Sequence, residues 1–149
     1  MCIRDSSNSE YTEVRLIPTR EPKGEPTLLI PKSAGIEYYA EPLNIAGEQH
    51  LLIQHDYNAL NSELVLADMP REGESLEEYA ARWVPVIRHS EHVRLEGFTF
   101  TATHLVVTAR ADTTTRIFLA PREQLPIQWR RRRPACLLYT SDAADDLTR

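Results

Sequence analysis

The sequence predicts an all-β chain, organised as a partial β-propeller of about two four-stranded antiparallel blades with one short surface helix. Three observations predict it. Short runs rich in Val, Ile, Leu, Phe and Tyr follow one another along the chain, separated by turn residues. These runs recur with a period near 50 residues. Each period holds four runs in the same order, which is one sheet per blade with blades packed radially.

Taken in order, the expected strands are Glu13–Pro18, Thr27–Ile30, Glu37–Pro42, His50–His55, Glu63–Ala67, Trp83–Arg88, Val93–Phe100, His104–Arg110 and Thr115–Ala120. Pro22-Lys23-Gly24, Ala34-Gly35, Ala46-Gly47 and Asp112-Thr113 supply the turns between them. The repeat is visible residue by residue. His50-Leu51-Leu52-Ile53-Gln54 returns as His104-Leu105-Val106-Val107-Thr108 at an offset of 54, and Glu63–Ala67 returns as Arg116–Ala120 at an offset of 53. A third copy, Glu13–Ile17, stands 50 residues before Glu63. Thr27–Lys32 parallels Trp83–Arg88, so the order implies one whole blade flanked by two partial ones. Glu72–Arg82 breaks the strand pattern: Ser75 and Glu78 have the spacing of a capping box, which predicts a short surface helix between the third and fourth strands of the central blade.

Both ends of the chain look foreign to this pattern. Met1–Ser6 is what ATG TGT ATA AGA GAC AG encodes, and Cys136–Asp145 is what TGT CTC TTA TAC ACA TCT GAC GCT GCC GAC encodes. The first string is the reverse complement of the start of the second, and the element resembles the adapter of transposase-based sequencing libraries read through as protein. Residues 1–6 and 136–149 are therefore expected to be adapter-derived, and 7–135 to be the partial propeller, with 122–135 doubtful. The run Arg130–Arg133 falls in that doubtful stretch, where another strand is due, and carries no functional expectation.

Setting the ends aside changes the charge and cysteine reading. Both cysteines, Cys2 and Cys136, go with them, which leaves no basis for a disulfide framework or a thiolate metal site. Removing Arg4, Arg149, Asp5, Asp142, Asp145 and Asp146 takes the net charge from −5 to −3. That surface has no nucleic-acid footprint, and no apolar run has the length of a membrane span. Neither nucleic acid nor membrane is expected as a partner.

The order of motifs resembles the oligopeptidase B branch of the prolyl oligopeptidase family. Leu95-Glu96-Gly97-Phe98-Thr99-Phe100 followed by His104-Leu105-Val106-Val107-Thr108-Ala109-Arg110 carries the resemblance, with Trp83–His89 as the preceding element. Upstream, Gly35-Ile36-Glu37-Tyr38-Tyr39 and His55–Leu64 resemble two further family segments, although His55, Leu60 and Ser62 depart from the usual residues. The resemblance spans Glu13 to Ala120. It implies a seven-bladed propeller over a C-terminal α/β-hydrolase domain with a Ser, Asp, His triad. Such enzymes cleave short oligopeptides after Lys or Arg, and the propeller restricts entry to flexible peptides. It also suggests a cytoplasmic protein. This chain has no Gly-x-Ser-x-Gly nucleophile elbow, so catalysis is expected of the parent and not of these residues. The alternative is a free-standing propeller serving as a binding or scaffold module.

No catalytic, cofactor-binding or metal-binding residue is assigned, and no cofactor is expected. His50 and His55 fall on opposite faces of one strand, His89 and His92 flank a turn, and His104 opens a strand; none forms a ligand set. Ser90 between His89 and Glu91 reads as a turn, because adjacency in sequence is not triad geometry. Tyr38-Tyr39 and Phe98/Phe100 are expected to pack between blades rather than to line a ligand channel.

Overall fold

The computed structural model describes residues 2–7, 12–31, 34–45, 47–122, 124–125 and 139–140. The described residues form three antiparallel sheets and one helix. The central sheet runs in simple meander order through β4 (Tyr38–Ile45), β5 (Glu48–His55), β6 (Glu63–Asp68) and β7 (Val84–Ile87). Before it stand β1 (Cys2–Ser7), β2 (Thr12–Ile17) and β3 (Thr27–Leu28). After it come β8 (Val93–Phe100), β9 (His104–Ala111), β10 (Thr114–Pro121) and β11 (Tyr139–Thr140). Every strand expected from the sequence forms, and the sheets are successive copies of one up-and-down unit, as a propeller requires.

The sheets are held face to face by two separate cores. Val14, Leu16, Ala40, Leu51, Ile53, Val65 and Ala67 fill the space between the first and second sheets. Leu43, Leu52, Leu64, Leu66, Leu95, Phe98, Leu105 and Val107 fill the space between the second and third. The central sheet is therefore buried on both faces, which is why Leu51-Leu52-Ile53 and Leu64-Val65-Leu66-Ala67 are unbroken apolar runs. In the third sheet the described residues cover only one face: Leu105, Val107, Ala109 and Ala111 are buried while Val106, Thr108 and Arg110 are not. One repeated motif, His-Leu-aliphatic-aliphatic, thus reads as continuous burial in β5 and as alternation in β9. Each side chain taken wholly out of water here is worth about 1.5–3 kcal/mol.

Polar links fix the angle between sheets. The Val14 N–H donates to the Tyr38 Oη at 2.8 Å, and the same hydroxyl donates to the Ile30 carbonyl at 3.2 Å, so one buried side chain ties β4 to the first sheet. On the other side, Gln54 Nε2 donates to the Leu95 carbonyl at 3.2 Å and the Leu95 N–H donates to the Asn61 carbonyl at 2.9 Å. Each bond satisfies a main-chain group that pairing within its own sheet leaves open.

The local geometry follows the sequence closely. Ser75 caps α1 (Leu76–Ala80): its hydroxyl accepts from the Glu78 N–H, and the Glu78 carboxylate accepts from the Ser75 N–H, the reciprocal box its spacing predicts. The helix is shorter than Glu72–Arg82 because Gly73 turns at φ +73° ahead of it. Asp112 and Thr113 both adopt positive φ, 48° and 66°, which is the two-residue hairpin turn expected between β9 and β10. β8 carries a bulge at Glu96, where Leu95 and Gly97 oppose consecutive residues of β9. That extra residue lets Leu95 and Phe98, three apart, share the buried face.

At the ends, β1 pairs with β2 from Cys2↔Ile17 to Ser7↔Thr12, and β11 pairs with β10 through Phe118↔Thr140 and Leu119↔Tyr139. Strand pairing does not speak to the DNA origin of these residues, since an open sheet edge accepts any extended segment brought alongside it. Arg130–Arg133 lies outside the described residues, as does Ala46 of the expected Ala46-Gly47 turn.

Candidate functional site

The five histidines separate as their strand positions dictate. His50 and His55 lie on opposite faces of β5, at the levels of Leu43 and Tyr38 on the neighbouring strand. His50 Nδ1 stands 3.0 Å from Asp68 Oδ1, and its Nε2 lies 3.9 Å from Glu48 Oε2. His104 Nδ1 is 2.8 Å from the Thr103 hydroxyl. Around Ser90, the hydroxyl accepts from the His92 N–H and the main-chain carbonyls of Ser90 and Glu91 accept from Asn61 Nδ2, which is turn chemistry. Among the described residues no group of three His, Cys, Asp or Glu side chains converges on a metal position.

Asp68 joins a second polar cluster. Arg82 forks onto Glu74 with contacts of 2.8 and 2.7 Å, lies 3.6 Å from Asp68, and sits over the Tyr79 ring at 5.4 Å. The guanidinium's hydrogen bonds, with help from the Arg71 N–H, pull the Glu74 carboxyl down to about 2. Burial raises the Tyr79 phenol above its ordinary range, although Arg82 opposes this. Tyr79 donates to the Asp68 carbonyl at 2.9 Å. Every member of the cluster is engaged in docking α1 onto β6, which makes it structural.

A cleft of about 590 Å³ lies at the end of the sheets where β2, β4 and β8 begin. Thr12 of the first sheet, Glu37, Tyr38, Tyr39, Gln54, His55 and Ser62 of the second and its loops, and Arg94, Leu95 and Glu96 of the third line it, so both tyrosines border this cleft as well as packing between sheets. The bulge in β8 brings Glu96 to the rim, where its carboxylate pairs with Arg110 at 2.8 Å. Tyr38 and Tyr39, adjacent on β4, point to opposite sheets. Tyr38 is buried with its phenol raised to about 12, chiefly by burial, whereas Tyr39 is 44% exposed and meets Phe98 edge-on at 5.2 Å. Phe98 and Phe100 contact each other at 6.3 Å in the second core, as their alternation predicts.

His55 is the chemically unusual member of this lining. It is 4% exposed, its ring packs on Trp83 at 4.6 Å, and neither ring nitrogen reaches a hydrogen-bond partner among the described residues. Burial lowers its pKa to about 4, so it is a neutral imidazole at pH 7. Sequence reasoning passes over it because its one distinguishing property, isolation in an aromatic pocket, depends on Trp83, 28 residues away. Arg94 and Glu37 were equally hidden, since the cleft assembles from three strand ends.

Known proteins now bear on this architecture. The family profile that matches is "Prolyl oligopeptidase, N-terminal beta-propeller domain", over residues 1–141. No curated protein sequence matches the chain. Among solved structures, similarity is found to a chain from a structural and mechanistic analysis of two prolyl endopeptidases, concerned with inter-domain dynamics in catalysis and specificity. It superposes with a TM-score of 0.58 at 16% identity, over 76% of this chain and 15% of that one. At that identity the likeness concerns the fold, and this chain spans about 15% of the longer chain's length. The repeated four-stranded sheets, the two inter-sheet cores and the profile match together place this chain in the family of prolyl oligopeptidase N-terminal β-propeller domains.

Proposed function

We propose that this chain is part of the substrate-gating propeller of a serine oligopeptidase that cleaves short peptides after Lys or Arg. The observation that carries the reading is the family match over residues 1–141, joined to the motif order from Gly35 to Arg110 that resembles the oligopeptidase B branch. The chain contributes no nucleophile elbow, so the hydrolysis belongs to a C-terminal α/β-hydrolase domain of the same parent. The propeller's contribution is steric: a covered cavity admits a flexible oligopeptide and excludes a folded protein. Residues 1–6 and 136–149 are read as translated adapter flanking residues 7–135 of the propeller, and the parent as a cytoplasmic enzyme. Among the described residues no helix is long and apolar enough to cross a membrane.

The uninterrupted parent reading frame tests this proposal. It should replace residues 1–6 and 136–149 with further propeller sequence and continue into a Gly-x-Ser-x-Gly elbow. The purified parent should then release amine from Lys- and Arg-containing peptides far faster than from Ala-containing ones. A frame that closes the ring and stops without an elbow would leave a free-standing binding module instead. A parent that cleaves after residues other than Lys and Arg would overturn the specificity alone.

A further inference from the structure

The repeat contains two versions of one connection. In the central sheet β6 passes to β7 through α1, and in the first sheet β2 passes to β3 through residues 18–26. The central version is pinned along its length: Tyr79 is buried, and Arg82 clamps Glu74 at 2.8 and 2.7 Å. Glu74 in turn accepts from the Arg71 N–H at 3.0 Å, so the basic residue ahead of the helix has its main chain tied down. Residues 18–26 carry no helix and no such clamp. All but Gly24 are exposed, and two main-chain hydrogen bonds run within the loop, from the Glu21 N–H to the Pro18 carbonyl and from the Gly24 N–H to the Glu21 carbonyl. Pro18 and Pro26 stand where β2 ends and β3 begins, and neither has an N–H with which to extend the ladder. The Lys23 ammonium makes no ion pair among the described residues.

We propose that the β2–β3 connection is a cleavage site for endopeptidases specific for basic residues, with Lys23–Gly24 as the bond cut. Such an enzyme needs an exposed basic residue whose neighbours can straighten into its cleft. Water adds across the amide: the hydroxyl goes to the Lys23 carbonyl carbon and a proton to the Gly24 nitrogen, which leaves a carboxylate and an ammonium in solvent. Other basic residues are withheld. Arg4, Arg15, Arg94, Arg110 and Arg116 lie in strands, and Arg82 is clamped by Glu74. Arg122 bonds the Thr101 carbonyl and covers the Phe100 ring, and the segment after Arg88 is held by Asn61 on the Ser90 and Glu91 carbonyls. The cut does not release the piece ending at Lys23. Val14 and Leu16 stay in the first core with the Val14 N–H on Tyr38 Oη, and Leu29 and Ile30 beyond the cut are in the same core. The first sheet keeps its place and loses only the covalent link between β2 and β3.

The sequence holds only two lysines, Lys23 and Lys32, which makes a lysine-specific endopeptidase a clean probe. Brief digestion of the 149-residue chain is expected to give one piece ending at Lys23 and one beginning at Gly24, identified by mass spectrometry. The pieces should elute together from a native sizing column and part in urea. Lys23→Gln should slow the digestion at least tenfold. Trypsin compares the two versions of the connection directly: cleavage inside residues 18–26 should outpace cleavage at Arg71–Glu72 at least tenfold. Glu74→Ala, which frees the Arg71 N–H, should speed the Arg71 cut severalfold and leave the rate at Lys23 unchanged. First cleavage at Lys32, separation of the pieces under native conditions, equal rates at Arg71, or a Glu74→Ala variant cut no faster there would each overturn the proposal.

Discussion

His55 concentrates the energetics of a single residue. Its folded pKa, about 4, lies below the ordinary value of 6.5 because burial penalises the imidazolium. As pH falls through 6.5 the unfolded chain takes up a proton that the folded chain refuses. Stability is therefore full above that point, is lost progressively on acidification, and levels off once the folded state protonates near pH 4. The loss at pH 4.5 relative to pH 7 is on the order of 2–3 kcal/mol. His55→Phe keeps an aromatic ring against Trp83 and removes the titration. Urea midpoints of the two proteins at pH 7 and pH 4.5 should show the variant losing less on acidification by that amount; parallel losses would deny His55 the role. Tyr38 is the contrasting case, a buried hydroxyl whose donor and acceptor are both used, by Ile30 and Val14.

At the scale of elements, the strands were legible because most are bounded by Gly, Pro, Asn or Asp and rich in β-branched or aromatic residues. The helix was legible from Ser75 and Glu78, which form the box their spacing predicts. Ser75→Ala should cost about 1 kcal/mol, read as a lowered thermal midpoint, while Glu77→Ala beside it should cost much less. The bulge in β8 was not legible. Leu95 and Phe98 stand three apart, a spacing that contradicts a regular strand, and only pairing with β9 shows Glu96 as the residue that reconciles them. The cleft was illegible for a related reason: Glu37 just before β4, His55 at the end of β5 and Arg94 in β8 are far apart in sequence, and no local pattern announces that these segments meet.

At the scale of the whole molecule, the third sheet presents Val106, Ile117 and Leu119 on a face that no described element covers, with Ile117 41% and Leu119 36% exposed. The equivalent residues of the central sheet, Leu52, Leu64 and Leu66, are fully packed. The isolated chain should therefore self-associate in sedimentation experiments, and Ile117→Lys with Leu119→Lys should shift it toward monomer without loss of strand signal. A monodisperse starting protein would contradict this. The doubly buried central sheet has a further consequence, for how pairing is specified. In β9 a slip by one residue would drive Thr108 and Arg110 into the core, so hydrophobic contrast alone forbids it. In β5 a slip exchanges Leu51 and Ile53 for Leu52 and changes little in apolarity. The information that aligns the central sheet must then reside in its few polar anchors: His50 on Asp68, Tyr38 on Val14 and Ile30, and Gln54 on Leu95.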